Sequence, residues 1–257
     1  MEFKKANVLI TGGSDGIGLG LAARFLAAGS NVIVTGRSDE KLQNVANLYP
    51  GLRIYKNDIS DIQQREILAE FVKNTMPDIN ILINNAGIQR RITLASDNAS
   101  WKDRQEEIDI LFSAPVHLNH LLLPTLLSDN KASLIINVTS GGAYIPQAFA
   151  PIYSASKAAL HNYTVTLRHS LSGTLCKVVE LIPPAVQTSL AGPGLNHGAP
   201  LEDFCNYVFA KLSDEDTTQI GFGPTENITV EISGNPINEL FAASVARFPV
   251  EIYKQHE

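Results

Sequence analysis

The chain has 257 residues, 44% of them hydrophobic and 18% charged, with a net charge of −6 at neutral pH. That length and apolar content suit one α/β domain with a sizeable core, and the acidic balance offers no basic footprint for nucleic acid or an anionic membrane surface. Two cysteines, Cys176 and Cys205, are too few for a disulfide framework, no secretory signal stands in "MEFKKANVLITGG", and no apolar run approaches the roughly 18 residues of a membrane span, so the expectation is a soluble cytoplasmic protein.

Short apolar runs alternate with amphipathic segments along the chain. "NVLIT" (7–11) reads as a strand that stops at glycines, and Ile17, Leu21, Phe25 and Ala28 then recur at helical spacing up to Gly29, a C-cap candidate. "NVIVTGR" (31–37) is a second strand, and "SDEKLQNVANL" (38–48) opens with an N-cap serine. "LRIYKND" (52–58) is a third strand, followed by a helix marked by Ile62, Leu68, Phe71 and Val72. "NILIN" (80–84) is a fourth, and a long helix is expected from about Ser100 to Leu127, kinked at Pro115 and disturbed again at Pro124. "SLIINVTS" (133–140) and "KVVELI" (177–182) are further strands flanking a helix over 152–172.

After Pro183 the composition turns to Pro, Gly and small residues, so a loop is expected before helices at 201–212 and 235–248. The alternation predicts a doubly wound parallel sheet of Rossmann type with helices on both faces. It reads as a single domain over 1–257, with a substrate loop and helix region at about 184–215.

"TGGSDGIG" (11–18) lies between the first strand and the first helix. A helix N-terminus there favours a bound pyrophosphate; Gly12 and Gly16 permit tight turning, and Gly18 permits close helix packing. The spacing departs from the usual dinucleotide fingerprint, and an ordinary glycine-rich loop is the bland alternative.

Two segments place a tyrosine four residues before a lysine: "YSASK" (153–157) and "YVFAK" (207–211). Residues four apart share a helix face, so either pair could be structural. Tyr153 follows a strand ending at Ser140, at the predicted carboxyl edge of the sheet, where such folds bind ligands. No strand-end serine precedes Tyr207. The first pair is therefore the functional candidate.

"TGGSDGIG", "NNAG" (84–87), Ser140 and "YSASK", in this order and spacing, resemble the short-chain dehydrogenase/reductase family from the first strand to about Thr188. "PPAVQT" (183–188) is similar to a segment of a branch labelled DltE-like. The resemblance implies hydride transfer between a nicotinamide cofactor and a small carbonyl or alcohol substrate. Tyr153 would be the proton donor or acceptor, Lys157 would lower its pKa and hold the nicotinamide ribose, and Ser140 would hydrogen-bond the reacting oxygen.

The same resemblance carries Ser14, Asp15 and Ile17 with the glycine turn to the cofactor. It puts Asp58 at the adenine, Asn85, Ala86 and Gly87 at the adenosine ribose, and Pro183, Val186 and Thr188 beside the nicotinamide. The second strand ends in Gly36 and Arg37, with no acid before Asp39. A guanidinium there can grip a 2′-phosphate, which favours NADP over NAD; the alternative is a solvated surface arginine. A homodimer or homotetramer is expected from the family, with Leu121, Leu122 and Leu126 as a candidate intersubunit face.

One departure stands out. The family places an asparagine thirteen residues before a Leu-Pro step, and here that position is Leu111. Leucine cannot hold a relay water, a feature that favours a rival reading as a non-catalytic NADP(H)-binding sensor or scaffold. His117 and His120 lack a metal-completing partner in the sequence, and "SDEDTT" (213–218) reads as a solvated loop.

Overall fold

The computed structural model describes residues 3–128, 131–191, 197–234 and 237–249. Among these, seven strands form one sheet: β1 (Asn7–Ile10), β2 (Asn31–Gly36), β3 (Arg53–Lys56), β4 (Ile81–Asn84), β5 (Ser133–Val138), β6 (Cys176–Ile182) and β7 (Gln219–Gly221). Their order is β3-β2-β1-β4-β5-β6-β7, and every pairing is parallel. The order reverses between β1 and β4, which opens a crevice at the carboxyl ends of those strands.

Alternation along the strands feeds two cores. Val8 and Ile10 face one layer with α1 (Gly16–Ala27), α2 (Asp39–Leu48) and α7 (Leu201–Leu212). Leu9 faces the other with α3 (Ile62–Thr75), α5 (Ala114–Leu126) and α6 (Pro151–Ser170). Each such aliphatic side chain, fully withdrawn from water, contributes roughly 1.5–3 kcal/mol.

The long helix expected over 100–127 is interrupted. It runs as α4 (Trp101–Ile108), a π-helical turn at Asp109–Ser113, and then α5. Pro115 lies in the first turn of α5, where its missing N–H cannot continue the ladder, and the widened turn absorbs that defect. Pro124 stays inside α5 without ending it.

Two further elements, the short β7 and α8 (Ile228–Gly234), precede the last helix, α9 (Ile237–Arg247). β7 has three residues, too few for a readable period. Two of the three leucines expected at an intersubunit face are corrected: Leu122 and Leu126 are fully buried under the sheet and present no face to a partner, while Leu121 is half-buried against the same core.

Candidate active site

The crevice begins at the glycine turn. Asp15 caps α1, its carboxylate accepting from the Gly16 N–H at 2.7 Å. Gly12 has φ +65°, and a Cβ there would stand 2.8 Å from the Ala86 Cα. At Gly18 a Cβ would collide with the Asn85 amide and lie 2.5 Å from the Gly12 carbonyl. Asn85 in turn donates to the carbonyls of Thr11 at 3.0 Å and Gly12 at 3.1 Å. The end of β4 is thus laced to the turn, leaving bare backbone on the crevice side that fits a pyrophosphate.

Of the predicted residues, Gly12, Ser14, Asp15, Gly16, Ile17, Arg37, Asn85, Ala86, Gly87, Ser140, Tyr153, Lys157, Pro183, Val186 and Thr188 line one cleft of about 1230 Å³. Drug-sized ligands occupy pockets of roughly 300–1,000 Å³, so this volume has room for a dinucleotide and a small second molecule. Gly18 sits behind the wall, inside the turn. Asp58 also stands outside the wall, its carboxylate accepting from the Ser60 N–H at 3.0 Å and hydroxyl at 2.7 Å, while neighbouring Asn57 and Ile59 line the cleft. The apolar candidates Ile145, Phe149 and Leu190 line it as well.

Ser140 follows β5 in extended conformation, its Oγ accepting from the Gly142 N–H at 3.0 Å. Tyr153 and Lys157 come from the first two turns of α6, which Pro151 starts. The Lys157 Nζ donates to the Val138 carbonyl at 2.6 Å and lies 5.8 Å from the Tyr153 ring centroid. Burial raises the Tyr153 pKa; a hydrogen bond with Ser140 opposes this, while the charge of Glu107 reinforces it. Burial pushes the Lys157 ammonium down to about 7.

The expected lowering of the Tyr153 pKa by Lys157 is not found: burial dominates and raises it. The lysine has one acceptor and is itself driven toward neutrality, and the phenol is held protonated.

The second pair has nearly the same internal geometry, with the Lys211 Nζ 5.6 Å from the Tyr207 ring. Its surroundings differ. Tyr207 donates to Glu226 at 2.6 Å at the surface, and neither residue lines the cleft. Among the described residues no cluster able to hold a metal ion is found.

Leu111 sits in the π-helical turn, 0% exposed, packed against Ala150 and Tyr153. Its hydrocarbon stands where the family resemblance calls for an asparagine. Asn119 does not substitute, because its side chain accepts from Asn84 at 2.9 Å inside the core.

Sequence reasoning missed three contributors. Glu107 is 2% exposed and accepts from the Arg90 N–H at 3.0 Å; burial raises its pKa. In "RQEEID" it reads as one more acid on a solvated face. Glu180 of β6, 0% exposed, lies behind the Ser140 loop and accepts from Thr139 at 2.8 Å and Tyr144 at 3.0 Å, with His161 Nδ1 at 2.9 Å. The third is α9, whose Leu240, Ala243, Ser244 and Arg247 line the cleft together with Phe248. Its helical pattern was legible and its position was not.

A glycine turn entering a helix at the switch point of a parallel sheet, beside an inward-facing Ser-Tyr-Lys set, defines a Rossmann-type protein of the oxidoreductase kind. The chain belongs to the short-chain dehydrogenase family, whose model, described as short chain dehydrogenase, matches residues 6–196. It is 43% identical over 190 residues to a protein of Bacillus subtilis described as uncharacterized oxidoreductase DltE, covering 74% of this chain and 75% of that one.

Solved structures share the fold. A short chain dehydrogenase from Burkholderia cenocepacia in complex with NADP superposes with a TM-score of 0.81 at 23% identity, over 98% of this chain and 100% of the other. A short chain dehydrogenase/reductase from Burkholderia phymatum in complex with NAD gives 0.79 at 18% identity, over 99% and 100%. No described helix is long and apolar enough to cross a membrane.

Proposed function

We propose that the protein is an NADP-preferring oxidoreductase acting on a small carbonyl or alcohol, with Tyr153 as its general acid/base. The observation that carries this reading is the position of Ser140, Tyr153 and Lys157 in the wall of the cleft that also contains the glycine turn. A nicotinamide dinucleotide bound there supplies hydride to a carbonyl carbon or accepts it from an alcohol carbon.

The chain's own groups handle charge and proton. Ser140 donates to the substrate oxygen as negative charge develops on it, and Tyr153 delivers the proton to that oxygen or removes it. Its raised pKa keeps the phenol protonated at neutral pH, the form needed for reduction. Lys157, with one protein acceptor, has donors left for the ribose hydroxyls; such acceptors would restore its charge and thereby favour phenolate when the alcohol is oxidised.

Preference for NADP rests on Arg37. Its Nη1 donates to Glu106 at 2.8 Å, leaving its other N–H groups for a 2′-phosphate, and Ser38 and Lys41 line the same stretch of wall. Because NAD also occurs among the structural relatives, the choice is tested below by mutation.

The experiment is a screen of small aldehydes, ketones and alcohols with NADPH, NADP, NADH and NAD, repeated with Tyr153→Phe. Turnover that drops by about 10²–10⁴-fold in the variant while NADPH still binds is the expected result, the scale of one lost proton-transfer group. Equal turnover by the variant would remove Tyr153 from the mechanism. Cofactor binding without turnover of any compound would point to a sensor, the reading that Leu111 against Tyr153 favours.

A further inference from the structure

The half of the cleft beyond Tyr153 carries an unbalanced charge. Arg91 lies over the face of Phe149, its guanidinium carbon 5.0 Å from the ring centroid, and its Nε donates to Gln89 at 3.1 Å. Phe149 meets Phe248 edge-on at 5.2 Å, and the Arg247 guanidinium carbon lies 5.4 Å from the Phe248 ring. Phe149 also packs on the small cluster of Leu111, Ala150 and Tyr153, which connects this ladder to the reacting hydroxyl. All four ladder residues line the cleft.

Two other cations of the wall are matched, Arg37 with Glu106 at 2.8 Å and Lys41 with Asp15 at 2.8 Å, and Lys157 donates to the Val138 carbonyl at 2.6 Å. Among the described residues Arg91 and Arg247 meet no carboxylate. Asp15 is the one acid of the described cleft wall, and it is occupied by Lys41 and by Ser189 at 2.7 Å. Two exposed guanidiniums beside aromatic rings on the cleft wall, without a carboxylate partner among the described residues, form an anion receptor: the rings orient the planar cations, and their free N–H groups share a need for acceptors.

We propose that the substrate is a short carbonyl or alcohol compound bearing an anionic group, a carboxylate or sulfonate, held by Arg91 and Arg247 while its carbonyl or carbinol end lies at Ser140 and Tyr153. This deepens the oxidoreductase reading and rests on it for the reacting end. The anionic group makes and breaks no bond. It fixes the direction in which the short chain enters, and the aromatic pair between the arginines accommodates its methylenes.

The test compares ω-oxo acids of increasing length with their methyl esters, using NADPH at fixed ionic strength. The acids should exceed the esters in kcat/KM by about tenfold or more, the scale of a charge-assisted hydrogen bond. The acid-to-ester ratio should fall toward one in Arg91→Ala and in Arg247→Ala, each shown to be folded by NADPH titration. Esters turned over as well as acids, or a ratio that persists in both variants, overturns the proposal.

If neither class turns over, the NADPH-loaded protein is titrated calorimetrically with the corresponding ω-hydroxy acids and their neutral amides. Saturable binding of the acid, lost in both variants, supports the receptor and removes only the catalytic reading. Absence of acid binding, or binding that ignores the substitutions, overturns the receptor.

Discussion

The Lys157 ammonium lies 5.8 Å from the centre of the Tyr153 ring and spends its one protein hydrogen bond on the Val138 carbonyl, at 2.6 Å. Deep burial with a single acceptor holds its pKa at about 7, against an ordinary value of 10.5. Below about 7 the lysine is charged in both states and the folded protein bears the whole burial cost. Between the two values the unfolded chain holds more protons, so stability rises with pH across that window. The wild type should therefore gain on Lys157→Met by a few kcal/mol between pH 7 and pH 10, read from urea denaturation of the cofactor-free proteins. A gap that stays constant with pH would show that the lysine is not depressed.

Arg37→Ala should weaken NADPH binding by about tenfold or more and leave NADH nearly unchanged, since a 2′-phosphate loses a charge-assisted partner and a ribose hydroxyl does not. Fluorescence titration with both cofactors measures it. Equal losses would return Arg37 to the role of a surface residue paired with Glu106.

Glu180 ties four neighbours together behind the Ser140 loop. Burial alone would raise its pKa, but hydrogen bonds from His161, Thr139 and Gln219 and the charge of His161 outweigh burial and leave it below the ordinary carboxylate value. Its contribution is complete above the unfolded-state value and is lost as pH falls through the folded one. Glu180→Gln should cost about 1–3 kcal/mol near pH 7, the range for leaving buried donors unsatisfied, with the difference narrowing in acid. Because Thr139 adjoins Ser140, kcat should fall as well. An unchanged melting temperature would discount the cluster.

Gly18→Ala drives a methyl into the Asn85 amide and the Gly12 carbonyl. Overpacking against backbone should cost about 1–3 kcal/mol and sharply reduce NADPH affinity, because the turn itself must move. Gly173→Ala, where nothing lies within 4 Å of the added carbon, is the control. Similar melting curves and affinities for the two variants would contradict the packing described.

Much of the architecture was readable in one dimension. Continuous apolar runs such as Val8, Leu9 and Ile10 mark strands buried on both faces, because neighbouring side chains enter opposite layers, and the Ser38 cap follows from orphan amides at a helix start. The break at Asp109–Ser113 was less visible: a π-helical turn keeps the apolar pattern of a helix and changes only its register. β7 escaped because its three residues are strand only through pairing with β6.

By itself the sequence determined the parallel sheet and the glycine turn, because these depend on local periodicity, and it singled out Ser140, Tyr153 and Lys157 as candidates through a strand-end serine and a family resemblance. Tertiary structure alone decided that Leu111 packs on Tyr153, that Leu122 and Leu126 belong to the core, and that α9 lines the cleft with Arg247. Each of those outcomes depends on desolvation and on neighbours far away in the chain. A side chain's charge state and partners follow from what surrounds it in space, which spacing along the chain does not contain.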